Sequence, residues 1–355
     1  MIVMYPNNLL VRKTMEYALR FLIVIICSTT FFANAQTLVW QETFDSSAIN
    51  FNRWTHDLGT GSDRQAGHGW GNSELEYYTS RPKNVRTEKG KLIIEAHKET
   101  YNGSLFTSGR IKTEGRVHFK YGTIEARIKL PNVTNGLWPA FWTLGTVGAG
   151  WPGIGEIDMM EVGAVKALEA SLGNKRVSSA AHWSNASGAH QYNVFHTDAR
   201  VDLSLGYHLY KMVWNSRFIK MYLDNVEYYS FDISGGAAAN LSEFHTPHYL
   251  LLNLAVGGQY TGLYSSAGIT APLPGKMYVD YIKLYQNPGD ELYISTNRAL
   301  IENAGVGSVT TPFIDSLKLT LPVKPAAGII RLKARHKKKS SKNAEYKLRN
   351  KKKTV

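Results

Sequence analysis

Four short runs between Lys91 and Tyr285 alternate apolar and polar residues, and that two-residue period confines the chain to β-structure. They are Lys91 to Ala96, Gly122 to Leu130, Phe218 to Leu223 and Val279 to Tyr285. The third runs into Asp224-Asn225, a hairpin-turn pair, and the last has the look of a closing strand. Gly and Asn punctuate these runs, and no long stretch keeps a 3.6-residue apolar period. Many strands without intervening helices predict an all-β fold of two packed antiparallel sheets. A length of 355 residues permits one large domain or two ordinary ones, and an apolar fraction of 43% can fill a real core.

The ends of the chain differ from its middle. Arg12, Lys13 and Arg20 precede the apolar run Phe21 to Ile26, which closes on Ala33-Asn34-Ala35. This predicts a cleaved export signal over 1–35, with Met1 or Met15 as the start. The competing reading, a membrane anchor, needs about 20 apolar residues, and the run is too short. The single cysteine, Cys27, lies inside this signal, so the mature chain is expected to lack disulfides, thiol nucleophiles and thiolate-bound zinc.

The formal charge of +13 is also a property of the ends. From Arg331 to Val355 twelve Lys/Arg stand against one acid, and residues 1–20 add a further +2. The remainder is close to neutral, which removes any bulk electrostatic reason to bind nucleic acid. Residues 288–355 are expected to form a low-structure extension ending in that basic tail. The tail is either a solvated appendage or an adhesive for anionic polymer.

Chemistry concentrates in Gly155-Glu156-Ile157-Asp158-Met159-Met160-Glu161. In a regular strand Glu156 and Asp158 share a face, while Glu161 falls on the other. One bulged residue at Met159-Met160 would return Glu161 to the side of the other acids and leave Ile157 and the methionines facing the core. Three like charges on one face raise at least one pKa, as a general acid requires. Spacing alone leaves three readings open: a pair of catalytic carboxylates, a hard-cation site, or a solvated acidic face. Aromatics surround the segment. Trp138, Phe141 and Trp142 precede Trp151, and His182-Trp183 follows, among eight tryptophans in all. Phe141 reads as core and Trp138 as exposed in a cleft, where indole can stack on sugar rings.

These residues resemble glycoside hydrolase family 16, and within it the bacterial laminarinases, which are endo-1,3-β-glucanases. The family motif is Glu-x-Asp-x-(x)-Glu, and the longer form at Glu156–Glu161 is similar to the laminarinase, agarase and carrageenase branch. Further matches fall in the expected order at 38–45, 69–79, 107–110, 136–142 and 253–258, so that the resemblance covers roughly 38–286. It implies a β-jelly-roll sandwich of two curved antiparallel sheets with a concave substrate cleft, spanning 36–287 as the catalytic domain. It further implies Glu156 as nucleophile, Asp158 as its helper and Glu161 as acid/base. Asn72, Arg110, Trp138 and Trp142 would contact the substrate on the glycone side, with Trp151 and His182 near the cleft.

The resemblance also implies a structural calcium ion held by Glu42, the Gly90 backbone and Asp280, and no organic cofactor. The expected partner is a β-glucan polysaccharide, the expected state a secreted monomer without a membrane span after cleavage. Mixed-linkage β-1,3-1,4-glucan, an algal galactan, and binding of β-glucan without turnover are the competing functions. The segments 164–175 and 186–195 carry no diagnostic pattern, and the latter is expected to be a loop.

Overall fold

The computed structural model describes residues 36–63, 67–148 and 150–295, together with the backbone of 316–320. The expected export signal and the basic tail lie outside the described residues. Two large sheets face each other. One runs, in spatial order, Val226–Asp232, Phe218–Leu223, His208–Trp214, Gly122–Lys129, Gly275–Gln286, Lys91–Tyr101, Ser104–Ser108 and Glu76–Tyr78. Thr37–Glu42 pairs with Gly275–Gln286 beside it. The other runs His190–Asp198, Arg176–Ser184, Glu156–Val162, Leu137–Gly145, His248–Val256, Val117–Lys120, Glu291–Ser295 and Ser316–Thr320. Arg110–Lys112 attaches to its His248–Val256 strand, and Thr55–Asp57 pairs in turn with Arg110–Lys112. Pairing is antiparallel except between Glu76–Tyr78 and Ser104–Ser108. The result is the jelly roll, with the second sheet as its cleft side.

The two-residue period does what the sequence predicts. Gly122–Lys129 and Phe218–Leu223 alternate strictly between buried and partly exposed residues. Asp224 and Asn225 take φ of 48° and 67°, the left-handed pair that a two-residue hairpin turn needs. Ile124, Ala126 and Ile128 meet Phe141, Ile157, Leu250, Leu252 and Leu254 in one core between the sheets. The strand His248–Val256 is buried on both faces, because side chains of the cleft also cover its outer side.

Two expectations are corrected. The segment around Ala186 to Phe195 is not a loop: His190–Asp198 is the edge strand of the cleft sheet, with Tyr192 62% exposed. The sheet also continues past residue 287, since Glu291–Ser295 pairs with Val117–Lys120. Three isolated apolar residues in so short a strand (Leu292, Tyr293, Ile294) give too little period to read.

Candidate active site

The acidic strand is fixed at both ends by glycine. Gly155 and Gly163 have φ of 74° and 105°, and a Cβ on either would lie 2.7 Å from Glu243 or 2.3 Å from the Leu137 carbonyl. Between them the register slips on both sides. Trp142 faces Asp158 while Phe141 faces Met160, and across the other edge Asp158 pairs with Ala180 while Glu161 pairs with Ser178. Met159 is the extra residue. Its carbonyl, freed from the ladder, accepts hydrogen bonds from Ser179 Oγ at 3.0 Å and Tyr228 Oη at 3.2 Å. The bulge is thus pinned, and Ile157, Met159, Met160 and Val162 all face the core. Glu156, Asp158 and Glu161 share the cleft face.

Burial sets the electrostatics. It pushes Glu156 well above the usual carboxylate range, with Asp158 adding to the rise while His182 opposes it. Burial alone lifts Asp158 to about 8. Glu161 is also raised to about 8, by burial first and the Asp158 charge second, with His182 and the Trp138 N–H pulling the other way. Trp138 Nε1 donates to Glu161 Oε1 at 2.9 Å, and its ring stacks on Tyr260 at 4.7 Å and 16°. The expected exposure of Trp138 is therefore corrected: it is 8% exposed because Tyr260 and Glu161 cover it.

On the other flank His182 Nε2 lies 3.2 Å from Asp158 Oδ2 and 4.0 Å from Glu156 Oε1. Its Nδ1 is 2.9 Å from His190 Nε2, and the half-exposed Trp151 packs against His190 at 4.6 Å. Glu156, Asp158 and His182 are the one group among the described residues with three acidic or imidazole ligand atoms close enough, within 4.8 Å, to close on a metal ion.

The side of the cleft expected to meet the glycone assembles around a cation. The Arg110 guanidinium lies between the rings of Trp70 and Trp142, 4.6 and 4.8 Å from their centroids, and pairs with Asp57 at 3.0 Å. Trp142 Nε1 donates to Asn253 Oδ1 at 2.7 Å, and Asn72 Nδ2 to Glu74 Oε1 at 3.1 Å. Sequence reasoning placed Asn72, Arg110 and Trp142 here but missed Trp70, Glu74, Tyr78, Asn253 and His190. Trp70, Glu74 and Tyr78 stand inside the segment 69–79, which was singled out only as a block.

The calcium set does not assemble. Glu42 pairs opposite Ile282, faces inward, and accepts from Trp54 Nε1 at 3.2 Å. Asp280 lies on the outer face, 2.5 Å from both Lys91 Nζ and Arg127 Nη1. Lys91 Nζ also reaches the Gly90 carbonyl, at 3.3 Å. An ammonium and a guanidinium hold the oxygens that a hard cation would need, so the residues present do not fit the ion.

A jelly roll whose cleft presents three acids on a bulged strand, one buried and two half-buried, flanked by indoles and an aromatic-stacked arginine, is a glycoside hydrolase. Residues 72–282 match the glycosyl hydrolases family 16, and the chain belongs to that family. It is 35% identical over 271 residues to a β-glucanase of Rhodothermus marinus, covering 70% of this chain and 85% of that one. Among solved structures it is similar to the endo-β-1,3-glucanase from Pyrococcus furiosus, at 37% identity and a TM-score of 0.60, covering 70% of this chain and 94% of that one. It is likewise similar to a family 16 enzyme of the Bacteroides ovatus mixed-linkage glucan system bound to product, at 32% identity and a TM-score of 0.61, covering 70% and 100%. The chain spans 34% and 38% of the length of two further curated relatives it matches.

Proposed function

We propose that the protein is a secreted, retaining endo-hydrolase of β-1,3-glucan. The observation that carries this reading is the bulge at Met159, which sets Glu156 and Glu161 on one face with Asp158 between them. In a first step a Glu156 oxygen attacks the anomeric carbon as the glycosidic C–O bond breaks, and the Glu161 proton passes to the leaving oxygen. In a second step Glu161, now ionised, takes a proton from water. The water oxygen replaces Glu156 on the anomeric carbon, and configuration is retained.

Asp158, held by His182, stands beside the nucleophile and modulates its charge. The Trp70–Arg110–Trp142 stack with Asn72 holds the glycone sugars, and Trp151 with His182 borders the other side. The chain's own acids supply both proton transfers, with no organic cofactor. Export rests on the signal over 1–35, and a monomer needs no partner to complete this cleft. Among the described residues no helix is long and apolar enough to cross a membrane.

The likeness to the Pyrococcus furiosus enzyme favours β-1,3 linkages, while that to the Bacteroides ovatus enzyme makes mixed-linkage β-1,3-1,4-glucan the second reading. A non-catalytic glucan binder would be expected to have lost one of the carboxylates, and all three stand here. A reducing-sugar assay on laminarin, lichenan, agarose and carrageenan, with product sizing, tests the proposal. Oligosaccharides from laminarin at the highest rate support it, and faster cleavage of any other polymer displaces it. Glu156→Ala should abolish turnover, and azide should restore it with an α-configured product. Turnover by that variant without azide would remove Glu156 as nucleophile.

A further inference from the structure

Two buried acids that the reaction does not use lie behind the glycone wall. Glu74 is 3% exposed and Glu76 not at all. Both oxygens of Glu74 accept hydrogen bonds, Oε1 from Asn72 Nδ2 at 3.1 Å and Oε2 from the Tyr78 hydroxyl at 2.8 Å. The Tyr78 oxygen in turn accepts from Asn253 Nδ2 at 3.2 Å, and Asn253 Oδ1 accepts from Trp142 Nε1 at 2.7 Å. Since an indole N–H can only donate, the orientation of Asn253 is fixed, and a tyrosine has one proton to give. Every donor in the chain therefore points toward Glu74. One carboxylate collects two arms, one ending at Asn72 and the other at the Trp142 ring that clamps Arg110.

Glu76 explains how that carboxylate is tolerated. Its Oε2 accepts the Val256 N–H at 2.6 Å, while its buried Oε1 meets no donor. The neighbouring group in hydrogen-bond contact is the Glu74 carboxylate, and two acceptors can satisfy each other only by sharing a proton. Burial first, and the Glu74 charge second, push the Glu76 carboxyl well above the usual range.

We propose that Glu74 is a positioning residue for substrate binding: it fixes Asn72 and, through Tyr78 and Asn253, Trp142 in the geometry that grips the glycone sugars. This rests on the glucanase reading of the cleft. Glu74 is hydrogen-bonded to Asn72 and Tyr78 rather than to the reacting carboxyls, and its charge is a minor contribution at Glu161, so its loss should appear mainly in KM. Two arms converging on one site also predict that cutting one costs less than altering the point of convergence.

The test is steady-state kinetics on whichever polymer the wild type cleaves best, which separates a wrong substrate from a wrong role for Glu74. Tyr78→Phe removes one hydroxyl without changing shape, and should raise KM about tenfold while kcat stays within about twofold. Glu74→Gln should raise KM further. Glu76→Ala should resemble Glu74→Gln, and Glu76→Gln, whose amide can still donate to Glu74, should recover most of the lost affinity. Unchanged KM in both Tyr78→Phe and Glu74→Gln overturns the proposal, as does a loss confined to kcat. If Glu74→Gln fails to fold, Tyr78→Phe alone decides. Equal failure of both glutamine variants at Glu76 and Glu74 would overturn the sharing of the proton.

Discussion

Acids occur on both sheets of this molecule, and the two sets are treated in opposite ways. On the sheet away from the cleft Asp280 and Glu99 have cations to meet. Asp280 sits between Lys91 and Arg127, and Glu99 accepts from Arg81 at 2.6 Å and Lys83 at 2.9 Å. Burial would raise Glu99, yet Thr107, Lys83 and Arg81 hold it at about 2. Asp280 is likewise lowered against its burial by Lys91 and Arg127. In the cleft, Asp158 is buried and Glu156 and Glu161 are half-buried, with one imidazole among them, and all three are raised. Paired charges cost little and stabilise a little. An acid held away from cations, as Glu161 is, can keep a proton that the reaction uses, at a cost in stability.

This contrast can be broken by experiment, most severely at Glu161. Glu161→Gln should cut polymer hydrolysis about 10³-fold, the usual scale for losing a general acid. Wild-type activity should fall as pH rises through about 8, where Glu161 gives up its proton, and this limb should vanish in the variant when assayed on a substrate with an activated leaving group. A limb that persists assigns it to another group.

Next in size is a stability effect at Asp158, where the sign follows from its raised pKa. The folded state keeps the proton up to about 8, whereas the unfolded chain loses it near the ordinary carboxylate value of 3.8. The contribution to stability is therefore full below that lower value and is lost as pH rises through the upper one. Asp158→Asn should raise Tm by about 10 °C at pH 9 and by about 3 °C at pH 5, while slowing turnover. A variant less stable than wild type at pH 9 would mean that the acids are not strained by burial.

The sequence made the fold legible wherever one face of a strand is buried, because burial then imprints the two-residue period. Gly122–Lys129 shows this in full. The edge strand His190–Asp198, exposed on nearly every residue, carries no such imprint and read as a loop. The bulge was legible because three acids and two methionines in seven residues leave few ways to face both core and cleft. The network behind Trp142 was not. Tyr78 and Asn253 lie 175 residues apart and meet through one hydrogen bond, and no local spacing records such a contact. The calcium set failed for a related reason. Glu42 and Asp280 are both acids near the same sheet, but strand register, invisible in composition, turns one inward and the other outward.

The smallest effect belongs to the paired side, and it tests whether Lys91 and Arg127 have replaced a cation there. Asp280→Asn removes two partly exposed ion pairs and should cost about 1 kcal/mol, lowering Tm by about 3 °C at pH 7. Because the folded Asp280 has a lowered pKa, that difference is present above the ordinary carboxylate value and should close as pH falls below it. A bound calcium ion behaves differently: at a hundredfold excess over its Kd it would add about 2.7 kcal/mol, hence about 5 °C or more. With Lys91 and Arg127 on the oxygens, millimolar calcium or EDTA should leave both Tm and hydrolysis rate unmoved. A calcium-dependent rise of that size, lost in Asp280→Asn, would show that the two basic side chains swing away to admit the ion. The two sheets would then differ less in how they treat their acids than in which cation arrives.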